Sequence, residues 1–387
     1  MSRRLIYIAN ARMPTEKAHG VAAMRACEAF ARAGVDVTFV AARRINSVAE
    51  DAHVFYGITE PFPLVRLWSL DLFPFERVLG RGAYFIQAAT FYLSLLLYLA
   101  LRSRSTIVYT REGPAVAIAA WLGFPAFLEC HSIPDKRELF FAFAHWADGI
   151  VAVAGTLRQL FLNAEFSGER ILVEPNAVDL SAFNIPLSRE AARTELGLPN
   201  AAYLLVYTGN FTTRGEDKGI DDTLAALAKL DDKVEFLAVG GSEADCARYT
   251  KRAEALGVMK RAHLLGHVPQ AALARYQKAA DVLMMPFPDT PYYREHMSPL
   301  KLFEYAAAKR PVITTDLPTI REIVDDSTAA IVPPGSPEAI ADAVRALRAD
   351  PAQSAARADA LYARVAAAHT WDARATRILA FLIDHIN

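Results

Sequence analysis

Three cysteines in 387 residues, Cys27, Cys130 and Cys246, stand too far apart for a metal-ligand spacing. An odd count without a pattern suits a reducing cytoplasm rather than a disulfide framework, and each thiol is expected to fill core space. Charge of one sign is equally scarce. Basic and acidic side chains number 42 and 43, which gives no general pull toward nucleic acid, and none is expected as a partner. The chain lacks the Gly-x4-Gly-Lys-Ser/Thr phosphate loop and the Gly-x-Ser-x-Gly elbow, arguing against a nucleoside triphosphatase and a serine hydrolase. No pair of carboxylates can be assigned from spacing as the acid and nucleophile of a glycosidase. No repeat of solenoid length is visible. The apolar run after Arg4 is too short for a signal peptide and reads as a first buried strand.

What is present is the composition of an ordinary soluble enzyme, 53% hydrophobic and 22% charged, long enough for two domains. Strand Leu5–Ala9, loop Asn10–Gly20, a helix from about Val21 to Ala33 ended by Gly34, and strand Val35–Ala41 make a βαβ unit of a parallel sheet. The loop lies at the carboxyl end of its strand, where ligands of open α/β sheets bind. Further strands are expected at Thr106–Thr110, Ala126–Cys130, Gly149–Val153 and Ile171–Glu174. Leu180 to about Asn200 reads as a linker, with Pro186 and Pro199 and a short helical piece between them. A second βαβ unit restarts at Ala202–Thr208, with strands at Val234–Val239, His263–Leu265, Asp281–Met285, Pro311–Thr315 and Ala329–Val332 and a helical Ala-rich remainder. Ala83–Leu101 is uncharged and flanked by Arg81 and Arg102, but Gln87, Thr90 and Ser94 recur at helical spacing. That polar stripe favours a helix packed on a sheet or lying in a membrane surface over a true span.

Ser298–Asp316 organises the rest. Ser298 is placed to cap a helix whose first residue is Pro299, and Leu300, Phe303 and Ala307 fall on one core-facing side. The first turn of such a helix favours a phosphate, and Lys301 adds a cation there. One turn deeper, Glu304 can accept two hydrogen bonds, as a vicinal diol offers. A capped amphipathic helix with a solvated Glu and Lys explains the same residues. In a second constellation, Gly209 ends a strand and Lys218-Gly219 opens a helix, a way to hold a diphosphate. A solvated turn lysine is the alternative. In a third, His131 follows a strand, where an imidazole can donate to a hydroxyl or take a proton, or simply bond backbone. Glu129 beside it is expected on the opposite face of that strand.

Ser-Pro-Leu-Lys-Leu-Phe-Glu-Tyr-x3-Lys-Arg-Pro-Val-Ile resembles the donor segment of the retaining glycosyltransferases of family 4, which have the GT-B fold. Pro175-Asn-Ala-Val-Asp179 and the Gly209 to Lys218-Gly219 element resemble two further family motifs, and the likeness runs from Leu5 to about Ile340. The resemblance implies an α/β protein of two facing Rossmann-like domains with a cleft between them. Residues 1–185 would form an acceptor domain, with 370–387 packing back on it, and 186–369 a donor domain. It also implies that Glu304 holds a ribose, that Lys218 contacts a diphosphate, and that His131 lies near the transferred sugar, so these three are taken as catalytic. The wider donor set is Gly20, Gly209, Asn210, Arg214, Gly266, His267, Val268, Glu295, His296, Ser298, Pro299, Leu300 and Lys301. Several positions depart from the family pattern. His296 stands where many members have the first glutamate of Glu-x7-Glu, with Glu295 one residue away. Asn210 replaces an arginine, for which Arg214 could substitute, and His19-Gly20 replaces Gly-Gly. The chain lacks Asp-x-Asp, the metal–diphosphate signature of the other large glycosyltransferase fold, so neither a required metal nor a cofactor is expected. The implied partners are a nucleotide-sugar donor and a glycan or lipid-linked acceptor, and the apolar helix with arginines at both ends points, separately, to membrane contact through 83–104. The implied setting is the cytoplasm, at the inner face of the membrane. A nucleotide-sugar 2-epimerase and a catalytically silent sugar-nucleotide-binding protein are the other readings.

Overall fold

In the computed structural model, residues 3–134, 136–213 and 215–386 are described. Contacts divide the chain into two compact units, one running through Asn176 and resuming at Trp371, the other spanning Ala177–Thr370.

Strands covered on both faces read as continuous apolar runs, and the first unit is built from such strands. They are β1 (Arg4–Ala9), β2 (Asp36–Ala42), β3 (Leu64–Leu67), β4 (Ile107–Thr110), β5 (Ala126–Cys130), β6 (Gly149–Ala152) and β7 (Ile171–Val173). They form a parallel sheet in the order β3-β2-β1-β4-β5-β6-β7. The order reverses between β1 and β4, which opens a crevice at their carboxyl ends. The first helix begins at Ala18, not Val21, so His19 and Gly20 belong to its first turn. A Cβ on Gly20 would lie 2.3 Å from the Tyr56 hydroxyl oxygen, so glycine is required there for close packing. The stretch Asp51–Gly82, in which sequence patterning marks no strand, contains β3 at the sheet edge and a helix, Ala52–Tyr56, capped by Asp51.

The final helix, Trp371–Asp384, packs on this unit. Its fully buried Arg374 donates to Glu129 Oε1 at 2.7 Å and to the Pro175 carbonyl at 2.8 Å, and Arg377 grips the Glu174 carboxylate at 2.6 and 2.8 Å. Charge-assisted bonds from a buried guanidinium and an exposed one fix the helix against this unit with directional contacts that apolar packing alone lacks.

The second unit comprises β8 (Tyr203–Thr208), β9 (Thr212–Thr213), β10 (Glu216–Asp217), β11 (Val234–Gly241), β12 (Ala262–Gly266), β13 (Val282–Met285), β14 (Val312–Thr315) and β15 (Ala330–Val332). Six of these make a parallel sheet ordered β12-β11-β8-β13-β14-β15, while β9 and β10 pair as a small antiparallel ribbon. Here the order reverses between β8 and β13. The segment Leu180–Asn200, expected as a linker with one short helical piece between Pro186 and Pro199, has that helix but is packed structure rather than a free linker. It carries helices Leu180–Phe183 and Arg189–Leu196, and Arg193 is buried with Asp281 at 2.6 Å and the Ala279 and Ala202 carbonyls.

Candidate functional site

The second unit's reversal point gathers the sequence-predicted donor residues. β8 is followed at once by Gly209 at φ 110°, a backbone conformation natural only to glycine. The loop returns through the β9–β10 ribbon, and the Lys218 N–H donates to the Phe211 carbonyl at 3.1 Å. Gly219 then turns at φ 88° so tightly that a Cβ would fall 2.0 Å from the Pro286 carbonyl oxygen at the end of β13. Helix Ile220–Leu227 comes next. Its start is thereby pinned against the neighbouring strand, and Lys218 is aimed from a fixed point. Burial lowers the Lys218 ammonium to about 8.

The helix of the key stretch spans Leu300–Ala308. Ser298 is not its cap and Pro299 is not its first residue; Pro299 itself occupies the cap position, with extended backbone. Proline there removes an N–H that would otherwise need a partner, and Lys301 still falls in the first turn. The buried face is wider than expected: Leu302, Phe303, Tyr305, Ala306, Ala307 and Ala308 are all in the core, and Leu300 is half-buried.

Lys301 Nζ is closed to solvent, makes no hydrogen bond among the described residues, and sits 3.5 Å above the centroid of the Tyr207 ring. A Cβ at position 209 would lie 3.6 Å from it, so Gly209 leaves the space the ammonium uses. Burial and the charge of Lys218 hold Lys301 well below the usual lysine range, and Glu304 acts in the opposite sense. Glu304 is half-buried at the same place, its carboxyl pushed up to about 7 by desolvation against the opposing pull of Lys301. Gln277, wholly buried, donates to Thr208 Oγ1 at 3.1 Å and Glu304 Oε2 at 3.4 Å, while the Thr208 N–H donates to the Tyr305 hydroxyl at 2.8 Å. These bonds fix the floor under Glu304. The structure thus brings together Gly209, Lys218, Lys301 and Glu304: two destabilised cations, a helix start and one acceptor. The arrangement is chemically suited to an anion beside a hydroxylated group.

The other expected donor residues lie around or outside this group. Ser298 is half-buried at the helix mouth. His296, eight residues before Glu304, is buried with its ring 6.0 Å from that of Tyr292 and 3.8 Å from the half-exposed Glu295 carboxylate. Asn210 is exposed, and its carbonyl accepts from the Tyr207 hydroxyl at 2.7 Å. Gly266 ends the edge strand β12, His267 is exposed beyond it, and Val268 packs on the core. Arg214 lies outside the described residues. Gly20 and His131 belong to the first unit.

In that unit, His131 follows β5 and borders a cavity of about 330 Å³ lined also by Asn10, His19, Arg111, Glu112 and Phe140. Glu129 is not on the opposite strand face. Side chains two apart share a face, and His131 Nε2 lies 3.3 Å from Glu129 Oε1. Glu129 also accepts from Arg111 at 2.9 Å, Arg374 at 2.7 Å and Tyr7 at 2.8 Å. Although burial opposes it, the flanking cations hold Glu129 well below the carboxylate range. Burial first, then Arg111, lower His131 to about 4, and the same two causes lower His19 to about 4. Both imidazoles are neutral at pH 7 and able to donate and accept one hydrogen bond each. Burial raises the Glu112 carboxyl, which accepts from the Asn10 N–H and the Tyr92 hydroxyl, both at 3.2 Å. Arg111 and Glu112 were not among the residues expected from sequence. Their place just beyond β4, at the sheet's reversal, is the signal that could have found them.

Two family models match this chain, "Glycosyltransferase Family 4" over residues 20–182 and "Glycosyl transferases group 1" over 202–350. D-inositol 3-phosphate glycosyltransferase 1 of Catenulispora acidiphila is 29% identical over 60% of this chain and 56% of its own length, so the chain spans just over half of that relative. Sucrose-phosphate synthase of Thermosynechococcus elongatus superposes with a TM-score of 0.80 at 20% identity, covering 99% of this chain and 98% of that one. Anabaena HepE in complex with UDP-glucose gives 0.74 at 15% identity, covering 98% and 99%. Matches spanning both halves, on a sheet order and motif placement that fit them, establish that the chain belongs to the family 4 glycosyltransferases and has their GT-B fold.

Proposed function

We propose that the protein is a retaining hexosyltransferase that moves a sugar from a UDP- or GDP-sugar to a glycan or lipid-linked acceptor in cell-surface polysaccharide or glycoconjugate synthesis. The observation that carries this reading is the buried Lys301 ammonium, without a hydrogen bond among the described residues, beside Lys218 and the elevated carboxyl of Glu304. An unpaired buried cation costs several kcal/mol, roughly, and persists where a ligand compensates it. Solved HepE complexes with UDP and UDP-glucose support a nucleotide donor on this fold.

On this reading the diphosphate lies at the start of the Leu300–Ala308 helix between the two lysines, and ionised Glu304 accepts from the ribose diol. As the glycosidic bond breaks, negative charge grows on the departing diphosphate, and Lys218, Lys301 and the helix N–H groups stabilise it. The sugar becomes oxocarbenium-like, and the acceptor attacks the same face while the leaving phosphate takes its proton. The lysines supply the charge that a divalent ion would bring, so no metal and no further cofactor take part. The acceptor enters the first unit's cavity, where neutral His131 donates to a sugar hydroxyl, in the cytoplasm at the inner membrane face.

His296 and Asn210, which depart from the family pattern, favour a second reading, a catalytically silent binder. Incubation with UDP-glucose and GDP-mannose, with and without EDTA, separates the readings by proton NMR. Release of the nucleoside diphosphate with an α-configured product, unaffected by EDTA, is expected. Donor left intact supports the silent binder, and a donor converted to its 2-epimer contradicts transfer.

A further inference from the structure

The helix Arg81–Ala100 is turned the wrong way round for a protein surface in water. Its buried face, with Phe91, Leu95 and Leu99 in the core beside Ile6, Ile8 and Val108, is ordinary. Its polar side chains, however, point inward. Gln87 is buried and donates to Asn10 Oδ1 at 2.8 Å, and the Thr90 hydroxyl accepts the Leu70 N–H at 2.9 Å. Ile86, Leu93, Leu97 and Leu101 then form a stripe facing out, and Leu97 and Leu101 are 63% and 86% exposed. A solvated helix carries polar residues on that side.

The preceding segment extends the patch, with Trp68, Leu70, Phe75, Val78 and Leu79 exposed on a short strand and turns packed against the same helix. The charge around it is predominantly basic. Residues 64–104 hold Arg66, Arg77, Arg81, Arg102 and Arg104 against Asp71 and Glu76, and Asp71 is already engaged by Arg44 at 3.6 Å. Arg102 lies over the Tyr98 ring. Aromatics, an apolar stripe and arginines at its ends match an anionic bilayer surface, where rings sit at headgroup level and guanidiniums reach phosphates.

We propose that this face docks the protein on an anionic lipid bilayer. The helix lies in the interface rather than crossing it, because Phe91, Leu95 and Leu99 cannot leave the core. Gln87 and Tyr92 of the same helix hold Asn10 and Glu112 in the wall of the cavity, so docking brings that cavity to the headgroups, where a lipid-linked acceptor is found. This last link rests on the proposed transferase function; the docking itself does not.

The test is flotation of the full chain with phosphatidylcholine vesicles, with and without phosphatidylglycerol. Binding to the anionic vesicles is expected, weakened by salt, and about tenfold or more weaker for the combined Leu93→Ser, Leu97→Ser and Leu101→Ser variant. Calorimetric nucleotide binding by that variant is expected to be unchanged. No flotation, flotation equal in the variant, or resistance to carbonate extraction overturns the proposal. So does a concentration-dependent dimer that the triple variant abolishes without any lipid binding. Flotation of a protein that binds no nucleotide leaves docking standing and removes the transferase reading.

Discussion

Replacing Lys301 by methionine should move stability and binding in opposite directions. Methionine keeps the length of the side chain and removes the charged end. In the free protein that end has no hydrogen-bond partner among the described residues, is shielded from water and feels Lys218. Its compensation is the Tyr207 ring, 3.5 Å from Nζ to the centroid, worth about 2 kcal/mol for a desolvated cation. The effective penalty of burying an ammonium is several kcal/mol, roughly, so the substitution should stabilise the ligand-free protein by about 1–2 kcal/mol. At about 2–4 °C per kcal/mol the melting temperature rises by about 2–8 °C. The same change removes a charged hydrogen bond to the diphosphate, worth about 1.5–3 kcal/mol, or about 10- to 150-fold in affinity for UDP or GDP. Thermal melts and calorimetry on the two proteins read both quantities. A lower melting temperature with unchanged nucleotide affinity would refute the reasoning and make Lys301 a structural residue.

Nucleotide affinity should peak between about pH 7 and about pH 8: Glu304, elevated to about 7, loses its acceptor capacity below that value, and Lys218, lowered to about 8, loses its charge above it. In Glu304→Gln the acid limb should vanish, and a flat wild-type profile from pH 6 to 9, roughly, would contradict both assignments. Glu129→Gln leaves Arg111 and Arg374 buried without their carboxylate, and urea titration should show a loss of about 3–5 kcal/mol. Because the native Glu129 carboxyl is depressed, its contribution is complete above the unfolded value of about 4.3 and fades as pH falls toward the folded one. The variant should lack that acid dependence. Gly219→Ala, at φ 88° with the Pro286 oxygen 2.0 Å from its Cβ, should displace Lys218 and weaken nucleotide binding, whereas Gly215→Ala, at φ 82° with open space around it, should cost about 1 kcal/mol of stability and leave binding intact.

Much of this architecture is legible in the sequence because parallel sheets demand unbroken apolar strands, and glycine and lysine mark the loops at their carboxyl ends. Strand–loop–helix spacing together with the family resemblance points to Gly209, Lys218, Lys301 and Glu304, and the structure gathers them at one reversal of strand order. The misses have physical causes. β3 is hidden in 51–82 because Leu-Val-Arg-Leu is four residues long and sits at an edge, with Arg66 facing water. Ser298 looks like a cap because serine usually is one, but Pro299 in extended backbone occupies that position. The expected placement of Glu129 is off by one step of the two-residue period, which hides the carboxylate that holds Arg111, Arg374 and Tyr7 and borders His131. Leu180–Asn200 reads as a linker by its prolines, yet Arg193 finds Asp281 far along the chain, a pairing no local pattern reveals. The polar stripe of the 81–100 helix is visible in sequence, but its inward direction depends on Asn10 and Leu70, which lie far from it along the chain.

Calorimetric titration of UDP, GDP and ADP into the wild type and into Glu304→Ala tests the donor site most directly. The account predicts that one uridine or guanosine diphosphate binds clearly more tightly than the others and that Glu304→Ala loses that preference along with most of the affinity. Binding of none, or equal binding by both proteins, would contradict it.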